Sequence, residues 1–312
     1  MFRNTWPCFV RLRRAVAVGV ATLVAGFLAT SVRAQDLALS TVLIDGQGWE
    51  LVGEGYKFTE GPAADAQGQV YFTDVPDNKI YKVALDGTVS VFSAESHATN
   101  GLMFGPDGRL YGCQNGLKKI VAFNPDGSTE TLADGVESND IVVAGNGGIF
   151  FTDPPAGRVW HINAQREKRV VADGLRPNGL ILWPDGGTLV VTDGNEPALW
   201  AFRVEKDGSL TNKDRYYGPL RLLPGQDRPG SDGMTVDVVG RLYVATRAGL
   251  QMFDPTGRMG GVIAKPQNAF LSNVAFGGPE LDTLYVTCTD KVYRRKTQTK
   301  GVRYGKPAEV KK

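Results

Sequence analysis

One pattern recurs six times along the 312 residues and limits the fold more than any other feature: a polar residue, an apolar step, a Gly-containing turn, then an alternating apolar strand. The first copy runs EGPAADAQGQVYFTD from Glu60, the second NGLMFGPDGRLYGCQ from Asn100, and the others start at Asn139, Asn178, Asp232 and Asn273. Successive starts lie 40, 39, 39, 54 and 41 residues apart. Each unit reads as four short strands joined by tight turns; in the first, Lys79 to Val83 and Thr88 to Phe92 follow the opening pair. Four strands in about 40 residues is the period of a propeller blade. Six copies therefore predict an all-β, six-bladed β-propeller with four-stranded antiparallel blades.

A propeller must close its ring. The sixth unit supplies three strands, the last from Lys291 to Arg295, and no convincing fourth. Trp49 to Val52, ahead of the first unit, resembles the missing strand and is expected to complete blade six. No stretch after residue 34 keeps a 3.6-residue apolar period between good caps, so helix should contribute little.

Residues 1–34 stand apart. Arg3, Arg11, Arg13 and Arg14 precede an uncharged apolar run from Ala15 to Thr30, and Val32-Arg33-Ala34 fits a small-x-Ala cleavage site. The run is shorter than the roughly 20 residues of a spanning helix, so it reads as a secretory signal peptide. The expected mature chain, 35–312, is a single exported domain with no membrane span, periplasmic or secreted. Its 30 basic and 33 acidic residues argue against a nucleic-acid partner. The basic cluster from Arg294 to Lys312 reads as a solvated tail, about 296–312. Cys113 and Cys288 fall at equivalent strand positions of non-adjacent blades, which favours two buried thiols over a disulfide.

The first strand of a propeller blade lines the central channel, so equivalent residues at its start form a ring: Glu60, Asn100, Asn139, Asn178, Asp232 and Asn273. Such residues also cap turns, and that is the plain alternative. Capping would be served by one residue type, yet carboxylates break the ring at Glu60 and Asp232, with only blade six between them. Two anions in an apolar-walled channel repel unless neutralised. Oxygen donors of this kind suit a hard divalent cation such as Ca²⁺, Mg²⁺ or Mn²⁺. With two histidines, His97 and His161, and no HExxH or CxxC, a His-rich zinc site is excluded; GxSxG and Gly-rich phosphate loops are absent too. Asp74, Asp153 and Asp193 look catalytic singly, but their recurrence at one repeat position marks a turn role.

The units EGPAADAQGQVYFTD, SNDIVVAGNGGIFFTDP, RPNGLILWPDGGTLVVTD and GSDGMTVDVVGRLYVAT resemble the senescence-marker-protein-30/gluconolactonase/luciferin-regenerating-enzyme family, in its exported bacterial branch, over about residues 45–295. The resemblance implies a six-bladed propeller with one divalent metal in the channel, Ca²⁺ first with Mg²⁺, Mn²⁺ or Zn²⁺ as alternatives, hydrolysing a sugar lactone. Carried over motif by motif, it places metal ligands at Glu60, Asn178 and Asp232, with Asp232 also the general base, and a substrate contact at Asn139. The chain departs from the family around Asn139: many relatives have Arg or another long polar residue shortly before the Asn and an Arg soon after the TDP, where this chain reads Val136-Glu137-Ser138 and Pro154-Pro155-Ala156. Asn100 of the ring, His97 on the loop entering blade two, and Arg176, two residues before Asn178, are further substrate-contact candidates; for His97 and Arg176 a plain surface role is the alternative. The long spacing before Asp232 carries an insertion within 205–231 that reads as a specificity loop or lid. Two competing functions keep the fold: cleavage of another ester or sugar derivative, and a non-catalytic binding module with a structural metal.

Overall fold

The computed structural model describes residues 37–304. Six four-stranded antiparallel sheets follow one another as blades, and each of the first five runs from channel to rim in chain order. Blade six is built from Asn273–Gly277, Thr283–Cys288 and Lys291–Lys296, and its outermost strand is Glu50–Glu54, antiparallel to Lys291–Lys296. The N-terminal strand thus closes the ring by hydrogen bonds between the two ends of the domain. The one α-helix among the described residues is the single turn Leu37–Ser40, and no helix there is long and apolar enough to cross a membrane. The proposed leader, residues 1–34, lies outside the described residues.

Sequence and position in the blade correspond closely. The second strands, among them Val70–Asp74, Leu110–Gln114, Ile149–Asp153 and Leu242–Thr246, are buried on both faces and read as continuous apolar runs. The rim strand Leu210–Asp214 is mostly exposed and reads LTNKD. The turn between the first two strands uses one chemistry repeatedly. Asp65 Oδ1 accepts from the N–H of Gln67 and Gln69, and Gly68 takes the left-handed φ of 89°.

The recurrent aspartates hold turns. Asp74 accepts from the Lys57 and Phe58 amides, Asp153 from the Ala156 amide and the Trp160 indole, and Asp193 from the Arg176 amide and the Trp200 indole. Cys113 and Cys288 are free and buried. They do not share a position, however. Cys113 pairs with Ile120 as Thr73 pairs with Ile80, whereas in blade six Thr287 sits opposite the ring residue Asn273 and Cys288 lies one residue further on.

Residues 296–304 are fastened down. Thr297 and Gly301 form bridges to Leu43 and Asp237, Thr299 Oγ1 donates to buried Asp237 Oδ2, and the Tyr304 hydroxyl donates to Leu182 O. Arg294 and Lys291 pair with Glu50 and Glu54 of the closing strand. Only residues 305–312 of the expected tail lie outside the described residues. The insertion is anchored as well: Tyr217 is buried against Phe253, and the Arg221 backbone exchanges two hydrogen bonds with the Gln251 amide.

His161, on the third strand of blade three, is buried against the Phe150 ring at 4.6 Å. Burial, then the nearby Arg169 cation, hold its pKa below the usual histidine value. The folded state therefore binds fewer protons than the unfolded one as pH falls below about 6.5. The stability contributed by neutral His161 is complete above that pH and is lost as pH drops toward the folded-state value. Thermal melts from pH 7.5 to 5 should show a slope that His161→Gln reduces; one proton limits its share to about 1.4 kcal/mol per pH unit. An unchanged slope would remove His161 from the acid response.

Candidate functional site

In blades one to five the start of the first strand carries a bulge that brings two consecutive residues toward the channel. In blade one the pairing Glu60 with Thr73 jumps to Ala63 with Tyr71; in blades two and four it jumps from Thr99 to Leu102 and from Pro177 to Leu180. Blades three and five show the same two-against-one pattern. Asn139 N donates to Thr152 O while Thr152 N donates to Asp140 O, and Asp232 N donates to Ala245 O while Ala245 N donates to Gly233 O. Bulges re-aim side chains, and here they build the site.

In blades one, two, four and five the second bulge residue is glycine: Gly61, Gly101, Gly179 and Gly233. A Cβ on Gly101 would come within 2.6 Å of Asp140 Oδ1, and one on Gly179 within 2.0 Å of Asp232 O. Neighbouring first strands approach too closely for side chains there. Blade three departs, because Asp140 stands where the others have glycine and its carboxylate fills the space that Gly101 leaves. The channel therefore holds three carboxylates, all buried: Glu60 and Asp232, the two expected at ring positions, and Asp140, which follows the ring residue Asn139 and was not expected. The sign was available: NDI in unit three against EGP, NGL, NGL and DGM in units one, two, four and five.

Asn273 links two of the three. Its Nδ2 donates to Glu60 Oε2 at 3.3 Å and to both Asp140 oxygens at 3.2 Å, and its Oδ1 accepts from Val274 N. Glu60 Oε2 also accepts from Gly61 N at 3.1 Å. Burial first, and then neighbouring carboxylates, push Glu60 and Asp232 well above the ordinary range: Asp140 acts on Glu60, and both Glu60 and Asp140 act on Asp232. Asp140 is raised by burial and drawn back by Asn273. Three buried anions are costly without a counter-charge.

Four of the ring's buried oxygens have no hydrogen-bond partner: Asn100 Oδ1, Asn139 Oδ1, Asn178 Oδ1 and Asp232 Oδ1. Asn178 and the Gly233 N–H favour the Asp232 anion. Among the described residues no three His, Cys, Asp or Glu side chains gather closely enough to hold an ion by themselves, so amide oxygens must complete any ligand set. Carboxylates beside unpartnered amide oxygens fit a hard divalent cation. The residues expected at a metal, Glu60, Asn178 and Asp232, are thus at one end of the channel with Asn100 and Asn139.

His97 and Arg176 lie on the interblade connections that enter this same end. Both are exposed. His97 and Ala98 adopt left-handed φ of 52° and 53°, and His97 O accepts from Gly116 N. A cavity of about 680 Å³ opens at the other end of the channel, between the first-to-second-strand turns and Tyr304. Aromatic side chains such as Tyr71, Phe92 and Phe104 wall it, and only Asp140 and Asn273 of the polar cluster reach it. Size does not locate the chemistry here; the unpartnered oxygens do.

The SMP-30/gluconolactonase/LRE-like region model matches residues 58–290, from the strand that carries Glu60 through the last turn of blade six. The chain belongs to that family. Its relatives include a gluconolactonase of Zymomonas mobilis, 27% identical over 292 residues that cover 81% of this chain and 82% of that one. A pentonolactonase of Haloferax volcanii is 24% identical, covering 76% and 83%. Among solved structures, a gluconolactonase of Xanthomonas campestris superposes with a TM-score of 0.73 at 27% identity, covering 83% of this chain and 92% of that one. In this family member the departure at Glu137 and Pro154 faces the same mouth as Asn139.

Proposed function

We propose that the protein is a metal-dependent lactonase that opens a sugar lactone by attack of water. The observation that carries this reading is the convergence of Glu60, Asn178 and Asp232, with unpartnered oxygens on three ring amides and on Asp232, at one channel mouth of an SMP-30/gluconolactonase/LRE-like chain. Relatives named gluconolactonase and pentonolactonase give the substrate class.

Glu60, Asn178 and Asp232 would hold the cation, with Ca²⁺ favoured by the all-oxygen donors. Bound there, it would offset the carboxylate repulsion and polarise a lactone carbonyl. The chain's own groups do the rest. Asn178 and Gly233 N–H orient the Asp232 carboxylate and leave Oδ1 unpartnered, able to take the proton of an attacking water. Asn273 and Gly61 occupy Glu60 Oε2, which keeps that side chain in one orientation. Asn100 and Asn139 line the approach, where their amides can bond to substrate oxygens.

The test is one preparation stripped of metal and reloaded separately with Ca²⁺, Mg²⁺, Mn²⁺ or Zn²⁺, followed by acid release on a panel of aldonolactones. Turnover should be absent after stripping and return with at least one metal. Tight metal binding with no acid release from any lactone would instead support a binding module.

A further inference from the structure

On the far side of the ring from the mouth, the cavity of about 680 Å³ ends on Asp140 and Asn273. First strands of all six blades line it, and Leu102, Ile141, Leu180, Met234 and Val274 are among its apolar walls. Tyr71, Phe92 and Phe104 carry the wall outward between blades one and two, with the Phe92 and Phe104 rings each 5.1 Å from Tyr71 and edge-on to it. Residues 302–304 bound it at the end away from the ring.

Few charges face this space, and most are already engaged. Asp65 accepts from the Gln67 and Gln69 amides of its own turn, and Arg109 pairs with Asp107 and Glu130. Arg303 donates to the Ala66 and Pro279 carbonyls, which ties the C-terminal segment across the turns of blades one and six. Asp140 differs. It is only 6% exposed, and the partner that steadies its carboxylate is the neutral amide of Asn273. Glu60, Asp140 and Asp232 together carry three negative charges, and a divalent cation in the ring would answer two of them. Asp140 is the one of the three carboxylates that reaches the lower cavity.

We infer that this cavity is a second binding site, for an organic monocation: an ammonium group on an apolar body, with the ammonium against Asp140. The inference does not rest on the lactonase reading, because negative charge is in excess whether or not the ring holds its own cation. An ammonium donates hydrogen bonds to a carboxylate, and bonds between two charged groups are stronger than neutral ones. The apolar body leaves water for the channel wall, and aromatic faces at the outer end add attraction for a cationic ligand. The volume lies in the range of small-molecule sites. A ligand with a carboxylate head would instead meet Asp140 as a like charge.

The experiment is a calorimetric titration, in excess Ca²⁺, with 4-phenylbutylamine, 4-phenylbutanol and 5-phenylpentanoate, which share a phenylbutyl body and carry a cationic, neutral or anionic head. Wild type, Asp140→Asn and Phe104→Leu are compared. The wild type should bind the amine about tenfold or more tighter than the alcohol, and the carboxylate weakest. Asp140→Asn should reduce the amine to the alcohol's affinity, and Phe104→Leu, which keeps an apolar wall and loses the aromatic face, should weaken the amine about threefold. Absence of saturable amine binding, an alcohol or carboxylate that binds as tightly, or amine affinity unchanged in both variants would overturn the site. So would amine binding seen only in metal-stripped protein and displaced by Ca²⁺, because the ammonium would then lie in the ring. Should Asp140→Asn fail to fold, the wild-type order of the three probes and the loss in Phe104→Leu decide the matter.

Discussion

Asp232→Asn should lose at least about 10³-fold in kcat on D-glucono-δ-lactone and should no longer be stabilised by Ca²⁺, while melting at or above the wild type when both are metal-free. The first part follows from position: Asp232 is a proposed ligand and its unpartnered Oδ1 is the proposed proton acceptor. The last part separates this reading from a structural role. Asp232 is buried with Glu60 and Asp140, and both of those charges strengthen its hold on a proton, as Asp140 does for Glu60. Removing one charge relieves repulsion that otherwise takes a cation or an added proton to relieve, so function is held there at a cost in stability. In the wild type, Ca²⁺ at a hundred times its Kd should add about 2.7 kcal/mol. Calorimetric melts with and without Ca²⁺, beside acid-release kinetics, check both halves. A metal-free variant that melts well below the metal-free wild type, or one that keeps its Ca²⁺ response and rate, would refute the assignment.

Gly179→Ala should destabilise the domain by about 3 kcal/mol or more, enough to lower Tm by roughly 10 °C in a domain of this size, and should lower activity with it. A Cβ at this position would lie 2.0 Å from Asp232 O, 2.6 Å from its carbonyl carbon and 2.9 Å from Gly233 Cα. All three are backbone atoms of the next blade, so no side-chain rotation relieves the contact. Relief requires blades four and five to part at the point where Asn178 and Asp232 must stay together. Gly186→Ala is the control. That turn glycine has a left-handed φ of 71° and open space around it, so it should cost only about 1 kcal/mol and leave kinetics unchanged. Equal, small losses at both positions would mean that close approach at the channel is not what requires glycine at 179.

Much of the architecture was legible because a propeller repeats its physics. Each blade must bury its second strand on both faces, turn tightly after its first, and expose its rim, so the pattern of VYFTD, IFFTD and LYVAT marks the blades directly. Closure by a strand near Trp49 followed from a sixth unit lacking its fourth strand, and the structure places that strand at Glu50–Glu54. Departures from the repeat, Glu60 and Asp232, pointed to the channel. Asp140 does not stand at a ring position, and only the bulge, which brings the residue after Asn139 inward too, adds it to the channel. The slip of Cys288 has the same origin: blade six pairs Asn273 with Thr287 and Val274 with Val286 without that bulge, so counting from the other blades misplaces its second strand by one.

The sequence by itself determined the six-bladed ring, its closure and the two carboxylates that interrupt a ring of amides, because strand alternation, turn chemistry and repeat length are local properties written every 40 or so residues. Only the tertiary structure decided which groups share an environment. It brought Asp140 to Glu60 through the amide of Asn273, 133 residues from the one and 213 from the other, and set Lys118 against Glu137 across the cleft between blades two and three. Burial and mutual charge act through space, and no local pattern in the chain records the distance between residues on different blades.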